Sequence, residues 1–219
     1  MPELSKSIIY YSDSQLDPKI AEPVRQQLLS IGLPIVSATL EPLDFGDNYH
    51  VEMKRGYEAY FNQILTCLEN TTTDVVFFCE HDNLMHPSHF DFTPPTKDKF
   101  YYDLNWWKIR KDGLAVHWDA VQVSGLCCYR ELALKHYIDR LKNFDPDKFD
   151  RKFEPTVNIE YETWWAEYPS LDIRHEQNLT YNKWSLAHFR NKDTAVNFQS
   201  STIDQIKGWD LETIKTLFA

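Results

Sequence analysis

Glu80-His81-Asp82 is the stretch of this chain best equipped for chemistry. It ends the run Asp74-Val75-Val76-Phe77-Phe78-Cys79. Thr71-Thr72-Thr73 precedes this run and Asn83 and Pro87 follow it, so it reads as a strand buried on both faces. Alternation along a strand puts Glu80 and Asp82 on one side and His81 on the other. Like charges that close cost free energy unless a cation or a shared proton compensates. Oxygen ligands of this kind suit Mg²⁺ or Mn²⁺, which in turn hold a diphosphate. The carboxyl end of a buried strand is also where open α/β sheets place their ligands. A strand that merely reaches solvent shows the same triplet, so the surrounding elements decide its meaning.

Those elements alternate. Ser7–Tyr11 is a short β-prone run, followed at once by the turn residues Ser12-Asp13-Ser14. Ala21 to Ile31 has helical spacing, with Pro23 in its first turn and Gly32 at its end. Pro34 to Leu40 reads as a second strand, which makes a βαβ unit with parallel strands. After a loop over Pro42 to Asn48, a helix over Tyr57 to Leu68 leads into the acidic strand. This order predicts an α/β nucleotide-binding half. Neither GxGxxG nor GxxxxGK[ST] is present, so no dinucleotide fingerprint or P-loop supports it. The end of the first strand then offers Tyr11, Ser12 and Asp13 to a nucleotide, and Arg55 to its phosphates.

The second half is less regular. Phe100-Tyr101-Tyr102 and Leu114–Trp118 read as strands, Leu126 to Leu141 and Tyr161 to Glu167 as helices, and Leu171–His175 as a last strand. Asn143 to Lys152 reads as a surface connection, and a peripheral helix is expected from Asp210. His86 and His89 join His81 in a tempting cluster, but zinc wants four convergent ligands with constrained spacing. Trp106-Trp107 and Trp164-Trp165 form two pairs, in which one member packs inward and the other is available to stack on a sugar face.

Composition narrows the classes. The chain has 219 residues, long enough for one domain with a sizeable core. Its formal net charge of −10 argues against broad non-specific attraction to nucleic acid. Cys67, Cys79, Cys127 and Cys128 show no CxxC spacing and read as buried thiols of a reducing compartment. No leader and no apolar run near ~20 residues is visible. The expectation is a cytoplasmic protein without a transmembrane segment, in which the sequon Asn178-Leu179-Thr180 has no glycosylation role.

With Phe77-Phe78-Cys79-Glu80-His81-Asp82 as a variant of the acid-X-acid motif, the order of features resembles the GT-A glycosyltransferases of the family 2 type over roughly Ser7 to Arg190. It is also similar to small bacterial and phage-type proteins with an EHD…HPSHF…SG…RH…NLT pattern. The resemblance implies an α/β fold: a single GT-A (Rossmann-like) domain over residues 1–219, with a mixed, mostly parallel sheet flanked by helices. Residues 7–82 would form the nucleotide-binding half, 83–190 the acceptor and metal-completing half, and 191–219 a peripheral segment. It implies a glycosyltransferase that moves sugar, with inversion, from a nucleotide-sugar donor of UDP type to a hydroxyl acceptor. That acceptor would be a glycan or, in a phage protein, a hydroxymethylated DNA base. Glu80, Asp82 and the late His175 would hold Mn²⁺ or Mg²⁺, and an imidazole ligand favours Mn²⁺. Glu162, Glu160 or Glu154 would be the general base, and Lys183, His188 and Arg190 would clamp the diphosphate. Ser124-Gly125 resembles the small-residue turn beside the acceptor pocket. Two other functions fit the same motifs: a nucleotidyltransferase on a similar sheet, and a non-catalytic nucleotide- or glycan-binding module.

Overall fold

The computed structural model describes residues 4–147, 159–177, 195–210, 212 and 214. It is a mixed α/β structure built on two sheets. The chain opens with β1 (Lys6–Ser12), α1 (Pro18–Ser30), β2 (Ile35–Thr39), β3 (Asp47–His50), α2 (Tyr57–Asn70) and β4 (Val75–Glu80). The short β5 (Asn83–Leu84) is followed by β6 (Phe100–Asp103), β7 (Trp106–Ile109), β8 (Leu114–His117), β9 (Leu126–Tyr129) and α3 (Arg130–Lys142). After these come β10 (Tyr161–Trp164), β11 (Ser170–Ile173) and β12 (Gln199–Thr202).

The larger sheet has the order β10-β6-β9-β4-β1-β2-β3. It is mostly parallel, with β9 antiparallel to both its neighbours. Its central strands are apolar on both faces because both are covered. Ile8, Tyr10, Phe77 and Cys79 pack with Val24 and Leu28 of α1. Ile9, Tyr11, Val76 and Phe78 pack with α2 and α3 through Phe61, Ile64, Leu68 and Tyr137. The smaller sheet, β12-β8-β7-β11-β5, joins the α1 side through Trp106, Ile109, Leu171 and Ile173.

Local chemistry accounts for the elements that match expectation. Asp17 caps α1 by accepting from Lys19 N at 3.0 Å, and Pro18 takes the first turn, where its missing N–H costs nothing. The helix therefore starts before Ala21, and Pro23 lies inside it. Elsewhere strand pairing overrides the local pattern. Leu126–Tyr129 is a strand rather than the start of a helix, because it lies between β4 and β6. Tyr161–Trp164 is an edge strand on β6 instead of the expected helix. Asp47–His50 adds a strand where a loop was expected. Glu154, Asn178-Leu179-Thr180, Lys183, His188, Arg190 and most of the closing helix lie outside the described residues. The four cysteines are buried and free. Among the described residues, no helix is long and apolar enough to cross a membrane.

Ser124-Gly125 is a packing device. Both residues are buried, and a Cβ on Gly125 would stand 3.0 Å from Trp106 Nε1 and 3.1 Å from the Asp103 carbonyl. Trp106 is 1% exposed and has no room to retreat. Gly125→Ala is expected to lower stability by about 1–3 kcal/mol, read as a drop in the urea midpoint at unchanged m-value.

Candidate metal centre

β1 and β4 are adjacent and parallel; β1 connects through α1 to β2 on one of its edges, and β4 lies along its other edge. Their carboxyl ends therefore flank a topological switch point. Ser12 ends β1, and its Oγ lies 2.7 Å from Nδ1 of His81, just past the end of β4. Alternation sends Glu80 to the α2 face with Phe78, where its Oε1 accepts from Tyr11 at 3.2 Å and Tyr60 at 3.1 Å. His81 takes the other face. β4 stops at Glu80, so Asp82 lies in a turn and strand parity no longer holds it beside Glu80. The turn carries Asp82 to the His81 side. There, potential ligand atoms of His81, Asp82 and His175 all lie within 4.8 Å of one another.

His175 arrives from the smaller sheet. β5 begins at Asn83, directly after Asp82, and pairs with β11; Ile173 N donates to the Asp82 carbonyl at 2.9 Å. One strand pairing thus fixes Asp172, Arg174 and His175 against the end of β4. Asp82 Oδ1 accepts from Asn83 Nδ2 at 2.8 Å, and Oδ2 lies 3.2 Å from His175 Nε2. Gln177 N donates to His175 Nδ1 at 3.1 Å, which leaves the single proton of the neutral ring on Nε2, pointing at Asp82. As held, His175 donates. Nε2 can bind a metal only when the 175–177 segment releases Nδ1. His81 is closer to ligand-ready: in the tautomer whose Nδ1–H donates to Ser12, its Nε2 presents a lone pair.

Three carboxylates share this corner. Burial, then the charges of Asp82 and Asp172, push Glu80 up to about 8. Asp172 is raised by burial and by Asp82, although Arg174 and Lys108 act against the shift. Burial opposes the charge of Asp82 too, but the His175 hydrogen bond, with His81, His175 and Arg174 nearby, brings it below the usual carboxylate range. Asp82 is the anionic centre. Burial lowers His81, which keeps a lone pair available. Arg174 donates to Asp172 at 2.6 Å. Arg55 reaches Asp13 at 2.5 Å and also donates to the Gln177 carbonyl, while Asp17 N donates to Gln177 Oε1 at 3.1 Å. The segment carrying His175 is thereby tied to the loop after β1.

The fold brings Ser12, Asp13, Arg55, Asp82 and His175 together around one opening. Glu80 lies beside it, facing the two tyrosines. Tyr11 is 2% exposed, its ring against Tyr60 and Phe78, so its ring offers no free face for stacking. Glu160 and Glu162 are exposed on or beside edge strand β10, three strands from β4, and pair with Lys99 at 3.8 and 2.7 Å. His89 is buried against Asp103 at 2.8 Å, and His86 packs on Tyr168 and Trp209. Sequence reasoning put His81 opposite Glu80, where it lies, but misplaced Asp82 by carrying parity past the strand end, and so left His81 out of the ligand set. It also missed Asp172 and Lys108, whose only signal is an isolated charge inside an apolar strand.

No protein-family model and no curated protein matches the chain. Two similar solved structures are the bifunctional IspDF from Campylobacter jejuni and HddC from Yersinia pseudotuberculosis. The first is 10% identical with a TM-score of 0.44, over 75% of this chain and 50% of that one. The second is 11% identical with a TM-score of 0.45, over 77% of this chain and 93% of that one. The chain spans half the length of the bifunctional enzyme. The glycosyltransferase expectation, with its nucleotide-sugar donor and inverting transfer, finds no counterpart in either and is withdrawn. Likeness this distant assigns no activity, so the activity has to be argued from the site itself.

The raised Glu80 gives a signed prediction. A carboxylate shifted up to about 8 costs stability that is absent below its unfolded value and grows as pH rises through the interval between the two. In metal-free protein, Glu80→Gln should therefore raise stability at pH 8 by about 1–2 kcal/mol, discounted because Glu80 keeps some solvent contact. The gain should shrink towards pH 4.5 in denaturant titrations at each pH.

Proposed function

We propose that this protein is a divalent-metal-dependent nucleotidyltransferase. The observation that carries the reading is the His81, Asp82 and His175 cluster at the switch point between β1 and β4. Asp82 supplies a carboxylate oxygen and His81 a nitrogen, with His175 joining once Nδ1 is released; this donor set suits Mn²⁺ or Mg²⁺, with Mn²⁺ favoured by the imidazoles. Such an ion, when bound, neutralises charge on the phosphates of a nucleoside triphosphate.

The chain's own groups do the rest. Arg55 and Arg174 are cations at the rim of the site, each now held by a carboxylate, Asp13 and Asp172, that a phosphate would replace. Ser12 at the end of β1 and Asp13 just after it would hydrogen-bond the nucleoside. In nucleotidyl transfer, an acceptor oxygen forms a bond to the α-phosphorus. The bond from that phosphorus to the bridging oxygen breaks, and pyrophosphate leaves with the electron pair. Glu160 and Glu162 have no part in this scheme.

The test is thermal stability with each ribonucleoside triphosphate, with and without Mn²⁺. One triphosphate should raise stability in a Mn²⁺-dependent way, by about 2.7 kcal/mol at a hundredfold excess over Kd. Asp82→Ala should remove the Mn²⁺-dependent part. With the small-molecule fraction of a lysate added, the wild type should release pyrophosphate. No triphosphate shift, or an equal shift in Asp82→Ala, would overturn the metal reading. Nucleoside diphosphate as the product, or binding without turnover, would overturn nucleotidyl transfer.

A further inference from the structure

The two tryptophan pairs divide in the same way. Trp106 and Trp164 turn inward onto the buried His89, with ring centroids 6.1 and 5.3 Å away. Trp107 and Trp165 instead meet at His117, at 5.7 and 5.3 Å. His117 is 1% exposed, whereas Trp165 is 52% exposed, so one wall of this second corner faces solvent. Trp107 and Lys108 are neighbours in β7 and point to opposite faces. Lys108 shares the row of Asp172, and its Nζ lies 4.3 Å over the ring of Trp118, next to His117.

The polar atoms under these tryptophans are mismatched. His117 Nδ1 lies 2.8 Å from the Trp106 carbonyl, which only accepts, so Nδ1 carries the ring proton. Nε2 is then an acceptor, and it lies 3.4 Å from Asp119 Oδ1. Both atoms are buried without an aligned hydrogen bond. Asp119 is not free to turn away: Asn197 Nδ2 donates to its other oxygen at 2.8 Å, and its own N–H donates to the Val196 carbonyl at 3.0 Å. Two buried acceptors facing each other cost free energy until a donor stands between them.

Three donors are conceivable: a proton on His117, a bound cation, or the O–H of a neutral ligand. Burial disfavours the charged ring, and the nearby Lys108 charge adds to that, against the Trp106 carbonyl and Asp119. The same Lys108 opposes a second cation. Hydroxyl groups remain. An indole face next to convergent acceptors suits a ring that carries C–H groups on one side and hydroxyls at its edge. We propose that Trp107, Trp165, His117 and Asp119 form a binding site for a neutral polyhydroxylated ring, a sugar or cyclitol. Its hydroxyls donate to His117 Nε2 and Asp119 Oδ1, and its C–H face lies on Trp165. The half-exposed Trp165 is the side chain that yields as the ring enters. The site stands independently of the metal centre and of nucleotidyl transfer.

Saturation-transfer NMR on the full chain tests it, with methyl α-glucopyranoside, methyl α-mannopyranoside, methyl β-galactopyranoside, myo-inositol and tetramethylammonium as probes. At least one ring should receive saturation through its C–H protons and quench tryptophan fluorescence. Its binding should weaken at least tenfold in Trp165→Ala. Asp119→Asn should have the same effect, because an asparagine amide would donate to Nε2 and satisfy it internally. Both positions keep solvent contact, and an unchanged melting temperature confirms each variant's fold. Saturation of no ring, equal binding in both variants, or preference for tetramethylammonium would overturn the proposal.

Discussion

The hydrogen bond between Asp82 and His175 is the contact on which the arrangement turns. Asp82 is an acid buried next to two others, and an unpaired charge there would cost several kcal/mol. The fold meets this cost with groups from a different sheet, delivered by the pairing of β11 with β5. The strand that follows Asp82 in sequence thereby fetches the residues that stabilise it. Loss of that pairing would remove Asp172, Arg174 and His175 together and leave Asp82 beside Glu80 without the groups that stabilise its charge. The metal centre and the junction between the sheets are the same structure.

This dependence also explains why the site is made of competing charges. Glu80 is held towards its neutral form by burial while Asp82 is held towards its charged form, within three residues. Groups whose environments drive their protonation apart are characteristic of sites that bind or transfer charge. Arg55 and Arg174 are each occupied by a carboxylate that a phosphate would displace, so binding exchanges one ion pair for another. The Arg55 contact with the Gln177 carbonyl adds a second coupling. The backbone N–H that fixes the His175 tautomer belongs to the same residue, so a ligand that draws Arg55 away also loosens the hold on His175.

Much of the first half was legible in the sequence, because its signals are local. β1, α1, β2, α2 and β4 follow from apolar periodicity and turn residues, and the acids at the end of β4 follow from position alone. What failed is what depends on a partner. Leu126–Tyr129 and Tyr161–Trp164 became strands because β4 and β6 offered backbone groups to pair with, and no periodicity within four residues reports that. Glu160 and Glu162 are candidates in the sequence because the resembling family places its base before the late histidine, and sequence order does not report that β10 lies three strands from β4. Parity misplaced Asp82 because β4 ends at Glu80, and the end of a strand is set by where its neighbours stop.

The tryptophan pairs show the same limit from the other side. Their sequence gives each pair one inward and one outward member, which alternation alone requires. It does not say that both inward members meet one histidine and both outward members another. That convergence arises because β7 and β10 belong to different sheets that meet at the Leu104-Asn105 corner, where Asn105 donates to the Ala166 carbonyl at 2.8 Å and Ala166 N donates to Asp103 at 3.2 Å. These two bonds set Trp165 against the smaller sheet although β10, which ends one residue before it, pairs in the larger one. His89 gains a buried aspartate at one end of this seam, whereas His117 at the other faces an acceptor it cannot satisfy. Both rings keep one buried nitrogen without a hydrogen-bond partner; what sets His117 apart is that this nitrogen faces a second acceptor, Asp119 Oδ1, beside the half-exposed Trp165.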